Sequence, residues 1–143
     1  MDSVTCLTRL KENGYRLTDA RKAVVETVAA TTHALTPVEV FDRARESCPG
    51  MGLVTVYRTL EKLEELGLIQ RVHQMHGCQA FIASGNGHEH LLLCTNCGST
   101  VHFSGDQLDR LIGSISRQSG FVIKEHWLQL FGLCEKCQER EKK

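Results

Sequence analysis

The sequence predicts an α+β fold: an N-terminal winged helix-turn-helix domain, then a small α/β domain carrying a four-cysteine structural zinc site. Three patterns carry that expectation. Apolar positions recur at helical spacing in successive segments before Gly67, each opened or closed by a start or stop signal. A strand–turn–strand pattern follows directly, from Leu68 to Ile82. Further on, Cys94-Thr-Asn-Cys97-Gly98 is answered by Cys134-Glu-Lys-Cys137, with 36 residues between the pairs.

Taken in order, residues 4–13 mix apolar and polar positions like a short helix, which Gly14 ends. Tyr15-Arg16-Leu17 reads as extended. Thr18 then caps a helix with Asp19 in its first turn, where negative charge suits the helix dipole. Ala20, Val24 and Val28 line its inner face. Thr36-Pro37-Val38-Glu39 combines an N-cap threonine, proline at the first helical position and a capping-box glutamate. From that helix Val38, Phe41 and Ala44 are expected to be buried. After a break at Cys48-Pro-Gly-Met-Gly52, residues 55–66 read as a third helix with Val56, Leu60 and Leu63 inward and Gly67 as its stop. Leu68–Met75 and Cys78–Ile82 read as strands around a His76-Gly77 turn. With the leading helix set aside, three helices and a hairpin make the winged plan, in which the third helix enters the major groove. Its outer residues are expected to be Thr55, Tyr57, Arg58, Thr59 and Lys62. Arg and Thr suit phosphates, while Tyr or Thr suit thymine methyls. A merely solvated helix face is the alternative.

Ser84-Gly-Asn-Gly87 reads as a flexible link, which divides the chain into residues 1–83, a hinge at 84–87 and residues 88–143. His88 and His90 are two apart and share a face if extended. The strand into Cys94 turns at the cysteine knuckle and returns through Thr100–Phe103, which is expected to set His102 roughly opposite His90. Three imidazoles then converge as a metal site. Ser104 or Asp106 is expected to cap a helix with the stripe Leu108, Leu111, Ile112 and Ile115, ending at Gly120. Phe121–Phe131 is β-rich and suits a central strand, able to pair across a two-fold axis into a dimer sheet.

Two matched Cys-x-x-Cys pairs supply four thiolates for a tetrahedral zinc. A disulfide framework needs an oxidising compartment and a redox motif needs one pair only. Neither pair opens a helix in a βαβ pattern, and a zinc held by four thiolates keeps no open position for water. Both a thiol-redox enzyme and a zinc hydrolase are therefore disfavoured, and the chain is read as a non-enzyme. The metal is expected to clamp the C-terminal segment onto the upstream hairpin, with folding coupled to metal binding. Cys6 and Cys48 have no partner at metal spacing.

The 143 residues are 41% hydrophobic and 24% charged, ordinary for a soluble domain or two small ones. Basic and acidic residues balance at 17 each, 10 and 10 through Ala83 and 7 and 7 beyond it. A nucleic-acid face must then come from arrangement rather than excess charge. No apolar run approaches ~18 residues and no charged-then-apolar start is present, so neither a membrane span nor a signal peptide is expected. Seven cysteines without export features suit a reducing cytoplasm.

Gly14-Tyr-Arg-Leu-Thr-Asp-Ala-Arg21, Thr55-Val-Tyr-Arg-Thr-Leu60, His88-Glu-His90 and the two cysteine pairs resemble, in order from about Leu7 to Cys137, the ferric uptake regulator superfamily. The resemblance implies a homodimeric, metal-responsive transcriptional repressor. Its parts would be a winged-helix DNA-binding domain, a hinge and a C-terminal α/β dimerisation domain. Regulatory metal near the hinge would favour a closed dimer that binds an AT-rich inverted-repeat operator in double-stranded DNA. By position, Arg16 resembles the residue that reaches the minor groove, and Tyr57 and Arg58 resemble base and phosphate contacts. Val54 departs from the family, which often has Thr or Ser at that helix cap. His126 resembles a ligand of a second regulatory site, joined by Asp109 and Glu89, and is otherwise a packed sheet histidine.

The sensed metal follows from what stands near the wing. Members that sense iron, manganese or peroxide usually carry a carboxylate after the aromatic of the wing's second strand; here Phe81 is followed by Ile82. Many zinc sensors place a cysteine shortly after that aromatic, where this chain has Ser84. Cys78 lies before it instead. The regulatory site is therefore expected to be Cys78, His88, His90 and His102, with His33 or His76 as substitutes. A thiolate with imidazoles favours zinc over iron. The expected function is a zinc-sensing repressor of metal-uptake genes, zur-like in branch. Its rivals are iron, nickel or peroxide sensing on the same scaffold, and a zinc-ribbon adaptor.

Overall fold

Thr36 shows how local chemistry starts the helices. Its Oγ1 accepts from the Glu39 amide at 3.3 Å, and the Glu39 carboxylate returns to the Thr36 amide at 2.8 Å, closing the expected capping box. The computed structural model describes residues 2–73, 77–85 and 89–141. The chain divides into two compact units, Met1–Ser84 and Gly85–Lys143. Asn86 and Gly87 of the expected hinge lie outside the described residues.

The first unit runs α1 (Ser3–Glu12), α2 (Asp19–Ala29), α3 (Pro37–Ala44), α4 (Leu53–Glu65), β1 (Ile69–His73) and β2 (Gln79–Ala83). Thr18 caps α2 through the Arg21 amide. Gly67, at φ +66°, ends α4 and donates to Glu64 O, while the Leu68 amide reaches Leu63 O at 2.8 Å. β1 and β2 pair antiparallel, with Arg71 opposite Phe81. Leu35 bridges Phe81 and ties the hairpin to the segment ahead of α3.

One cluster fills this unit, drawn from Cys6 and Leu10 of α1, the Ala23–Val28 face, Val40 and Ala44, Val56, Leu60 and Leu63, and Phe81 of the hairpin. Two expectations shift here. In α3 the buried residues are Pro37, Val40 and Ala44, whereas Val38 is 51% exposed and Phe41 only packs against the cluster's edge. The inner face thus runs through 37, 40, 41 and 44, at helical spacing of three and four, which leaves Val38 outside it. In α4 the N-cap is Gly52, with no side-chain cap, so the helix begins before Thr55 and Val54 lies inside it.

The second unit runs β3 (Glu89–Cys94), β4 (Thr100–Ser104), α5 (Asp106–Ser119), β5 (Gln129–Gly132) and α6 (Glu135–Glu141). Its sheet has the order β4-β3-β5, with β4 antiparallel and β5 parallel to β3. The long central strand expected over Phe121–Phe131 is corrected: only Gln129–Gly132 pairs, and it lies at an edge. Residues 121–128 carry no strand pairing, and Phe121, Val122 and Trp127 stand exposed. Gly105, not Ser104 or Asp106, is the N-cap of α5, and Gly120 ends it at φ +73°. α5 buries none of its residues, its expected stripe included. Among the described residues no helix is long and apolar enough to cross a membrane.

The shifted face of α3 is open to test. Val40→Ala, at a position with no exposure, is expected to cost about 2 kcal/mol, and Val38→Ala less than about 0.5 kcal/mol. Chemical denaturation followed by the first unit's helical signal separates the two, and equal costs would return Val38 to the core.

Candidate metal centres and nucleic-acid face

The cysteine knuckle is built from backbone geometry on both sides. β3 ends at Cys94, whose amide donates to Ser99 O at 2.9 Å, while the Gly98 amide returns to Cys94 O at 3.0 Å. Gly98 sits at φ +73°, which only glycine adopts freely. On the other side Cys134 precedes α6, and its carbonyl accepts the Cys137 amide at 2.9 Å. The two halves are stitched by Thr95 N to Gly132 O at 2.8 Å and by the Cys134 amide pointing at Cys94 Sγ at 3.3 Å.

All four sulfurs lie within 4.8 Å of one another, with Cys97 and Cys134 3.7 Å apart. A zinc–sulfur distance of ~2.3 Å gives a tetrahedral edge of about 3.8 Å, so the quartet fits a zinc ion. Among the described residues it is the one group of three or more metal-ligating side chains whose donor atoms converge. The charges differ across it. The Cys134 amide above all holds Cys94 down to about 6, and the Ser99 hydroxyl lowers Cys97. Cys137, buried beside the other sulfurs and Cys134 first among them, is pushed up to about 12. Four thiolates cannot share this site without a dication to neutralise them.

Among the described residues, His90 and His102 do not converge. Register pairs Leu91 with His102 and His90 with Phe103. Directly paired residues share a face and neighbours alternate, so His90 and His102 lie on opposite faces of the hairpin. The expectation that His102 sits opposite His90 is corrected by that single-residue offset. Each of the two instead meets another of the residues expected as ligands. His90 is 6% exposed, with its ring centroid 5.3 Å from His126 and 5.6 Å from Phe103. A Cβ on Gly105 would stand 2.4 Å from His90 Nε2, so only glycine admits that ring. His102 Nδ1 is buried without a hydrogen-bond partner, 4.0 Å from Glu89 Oε2. That is too long for a hydrogen bond and within the span of two ligands on one ion. A Cβ on Gly85 would overlap Glu89 Oε2, so this pair too sits in a glycine cradle.

The remaining expected ligands belong to both units. His126 lies ahead of β5, outside any strand, and its ring meets that of His90. Asp109 is exposed in the first turn of α5. Cys78 and His33 are exposed residues of the first unit. His76 and His88 lie outside the described residues.

On α4, Tyr57 is 46% exposed and Arg58 is exposed, as the expected nucleic-acid face requires. Thr55 is half-buried. Thr59 is corrected: it is fully buried and its hydroxyl donates to Thr55 O at 2.7 Å, so it faces the core beside Leu60 and Leu63. Arg16 is exposed in the loop after α1. Its carbonyl accepts from Arg21 Nη1 at 2.6 Å, and the guanidinium of Arg21 and the amine of Lys62 both lie over the Tyr15 ring, at 5.8 and 5.9 Å. The loop is thereby tied to both α2 and α4.

The chain matches the ferric uptake regulator family over residues 12–131. It belongs to that family. A ferric uptake regulation protein of Bacillus subtilis is 31% identical over 93% of this chain and 92% of its own length. One of Neisseria meningitidis serogroup C is 28% identical over the whole of both. Among solved structures, a zinc uptake regulator complexed with zinc and DNA shares the fold at a TM-score of 0.77 and 20% identity, covering 98% of this chain and 95% of its own. Ferric uptake regulator family members are metal-responsive transcription regulators, not enzymes, and nothing about the four-sulfur site asks for catalysis.

Sequence reasoning for this family member missed Gly85 and Gly105, because a glycine before a helix or in a link reads as a bend. Only the packed rings show what a Cβ would strike. Two outcomes test the centres. Cys94→Ser is expected to release one zinc per chain and unfold the second unit while the first stays folded, followed by metal analysis and amide NMR. Gly105→Ala is expected to displace the His90 ring and shift its NMR resonances while the sulfur-bound zinc stays. An unmoved ring would deny the cradle.

Proposed function

We propose that the protein is a metal-dependent transcriptional repressor that binds AT-rich inverted-repeat operators as a homodimer and senses zinc to control metal-uptake genes. The observation that carries this reading is the pairing, in one family member, of an outward Tyr57-Arg58 helix face with imidazoles held in glycine cradles. The helix supplies the reading element of a winged fold. Imidazoles suit a removable ion, while the sulfur quartet suits a permanent one. The segment 121–128, which forms no strand, and the exposed apolar residues of the sheet, Leu92, Val101, Leu130 and Phe131 among them, support a second copy as the cover for this unit. DNA and zinc bound by the related regulator of the same fold support the two ligands.

Two separate pairs are the candidates for the regulatory ion, His90 with His126 and, on the opposite face of the hairpin, His102 with Glu89, with Cys78 and His88, the other residues expected from the sequence, as further donors. Zinc is favoured because Ile82, which follows the wing aromatic, is buried and apolar where an oxygen ligand would be needed. When bound, the ion would supply a fixed positive charge that cross-links side chains from separate elements. Iron is the second reading, and Glu89 beside His102 favours it, because carboxylate with imidazole is a harder donor set than thiolate with imidazole.

Anaerobic titration of the full-length protein with zinc and with ferrous ion, read by operator binding, decides between them. Tighter DNA at lower free zinc supports the proposal, and repression by iron at the lower concentration replaces it. Arg58→Ala is expected to weaken DNA binding about tenfold and to lower its salt dependence by one phosphate contact, with zinc content unchanged. Unaltered affinity would remove Arg58 from the interface.

A further inference from the structure

The recognition face of α4 carries an apolar side chain that its fold does not use. Val56, Thr59, Leu60 and Leu63 are buried. At 100° per residue the opposite side of the helix is formed by Val54, Arg58 and Glu61, with Tyr57 flanking. Val54 is 63% exposed, at the centre of that side and in the first turn. A β-branched residue gains nothing for the helix there: its propensity is poor and it touches no core.

Charge fixes which end of this face meets a polyanion. Residues 53–58 contain Arg58 and no acid, whereas Glu61, Glu64 and Glu65 crowd the second half. In the second half Lys62 is engaged by Glu65 and Glu64 by Arg71, which leaves Glu61 there without an ion pair among the described residues, whereas Arg58 is the unengaged charge of the first half. The first half is therefore the end suited to approach DNA, and it holds Val54. An isopropyl group offers no hydrogen bond, so it cannot read donors and acceptors or hold a phosphate. The one apolar feature on a base edge in the major groove is the C5 methyl of thymine.

We infer that Val54 is a specificity-determining residue whose side chain packs on a thymine methyl, setting an A·T preference at one position of each operator half-site. The inference rests on the DNA-reading function proposed above. It makes Val54 a reader rather than a cap, in keeping with Gly52 as the N-cap.

The test uses the full-length, zinc-loaded protein and a duplex enriched from a random-sequence pool. Each thymine is replaced in turn by deoxyuridine, which removes only the methyl. At one thymine per half-site the wild type is expected to lose about fourfold in affinity. Val54→Ala is expected to bind the thymine duplex several-fold more weakly and to show no further loss with uracil there, while Val54→Ile keeps the penalty. A uracil penalty equal in wild type and Val54→Ala at every position overturns the assignment and leaves the repressor reading intact. A pool that enriches no duplex overturns both.

Discussion

The contact on which the second unit depends is the meeting of four sulfurs at the end of β3. The first unit has a core of its own, sixteen buried residues from all four helices and the hairpin. The second has almost none. Among its described residues the buried apolar ones are Leu91, Leu93, Cys94 and Cys137, and two of those belong to the sulfur quartet. α5 contributes nothing buried. So small a unit lacks the apolar area to outweigh the entropy of ordering its chain, and a metal cross-link supplies what the core does not. The clamp acts on the right elements: Cys94 ends the central strand, Cys134 and Cys137 bracket the start of α6, and Thr95 to Gly132 continues the β3–β5 ladder through the knuckle.

That same strand decides the arrangement of the histidines. Because side chains alternate along a strand, a register displaced by one residue reassigns every neighbour. His102 pairs with Leu91, which sends it to the side of Glu89, and leaves His90 with Phe103 and His126. The sequence shows that His90 and His102 occupy adjoining strands. It does not show the register, since the four residues of the cysteine knuckle can be spanned by turns that differ by one in their strand pairing. Packing settles the matter: Gly105 has no side chain where His90 needs space, and Gly85 has none where Glu89 does.

Elsewhere the legible parts are those written in local chemistry. Thr18, Thr36, Gly67 and Gly120 act where a reader of caps would place them, because a cap is a contact between residues three or four apart. What resists reading is what depends on distant partners. The inner face of α3 falls on Val40 rather than Val38, and Thr59 turns inward because its hydroxyl finds the Thr55 carbonyl and needs no water. The segment 121–128 has strand composition yet forms no strand, since composition records a preference and not a partner. Periodicity tells which residues want burial and cannot tell what will bury them.

Electrostatics closes the account of the first unit, where ten bases meet ten acids. A DNA-binding surface in a neutral domain requires that acids be occupied and chosen bases be left free. Glu64 is held by both nitrogens of the Arg71 fork, at 3.0 and 2.6 Å, and Glu65 by Lys62 at 2.8 Å. Arg71 also reaches Gln79 at 2.8 Å and lies over Phe81, so the pair that neutralises the back of α4 is the one that fixes the hairpin against it. Arg16 and Arg58 make no ion pair among the described residues. Neutrality overall is therefore compatible with a positive face locally. The carboxylates are drawn toward the wing end of α4, the cation and the apolar side chains remain at its opposite end, and the helix acquires a direction of approach that net charge alone does not reveal.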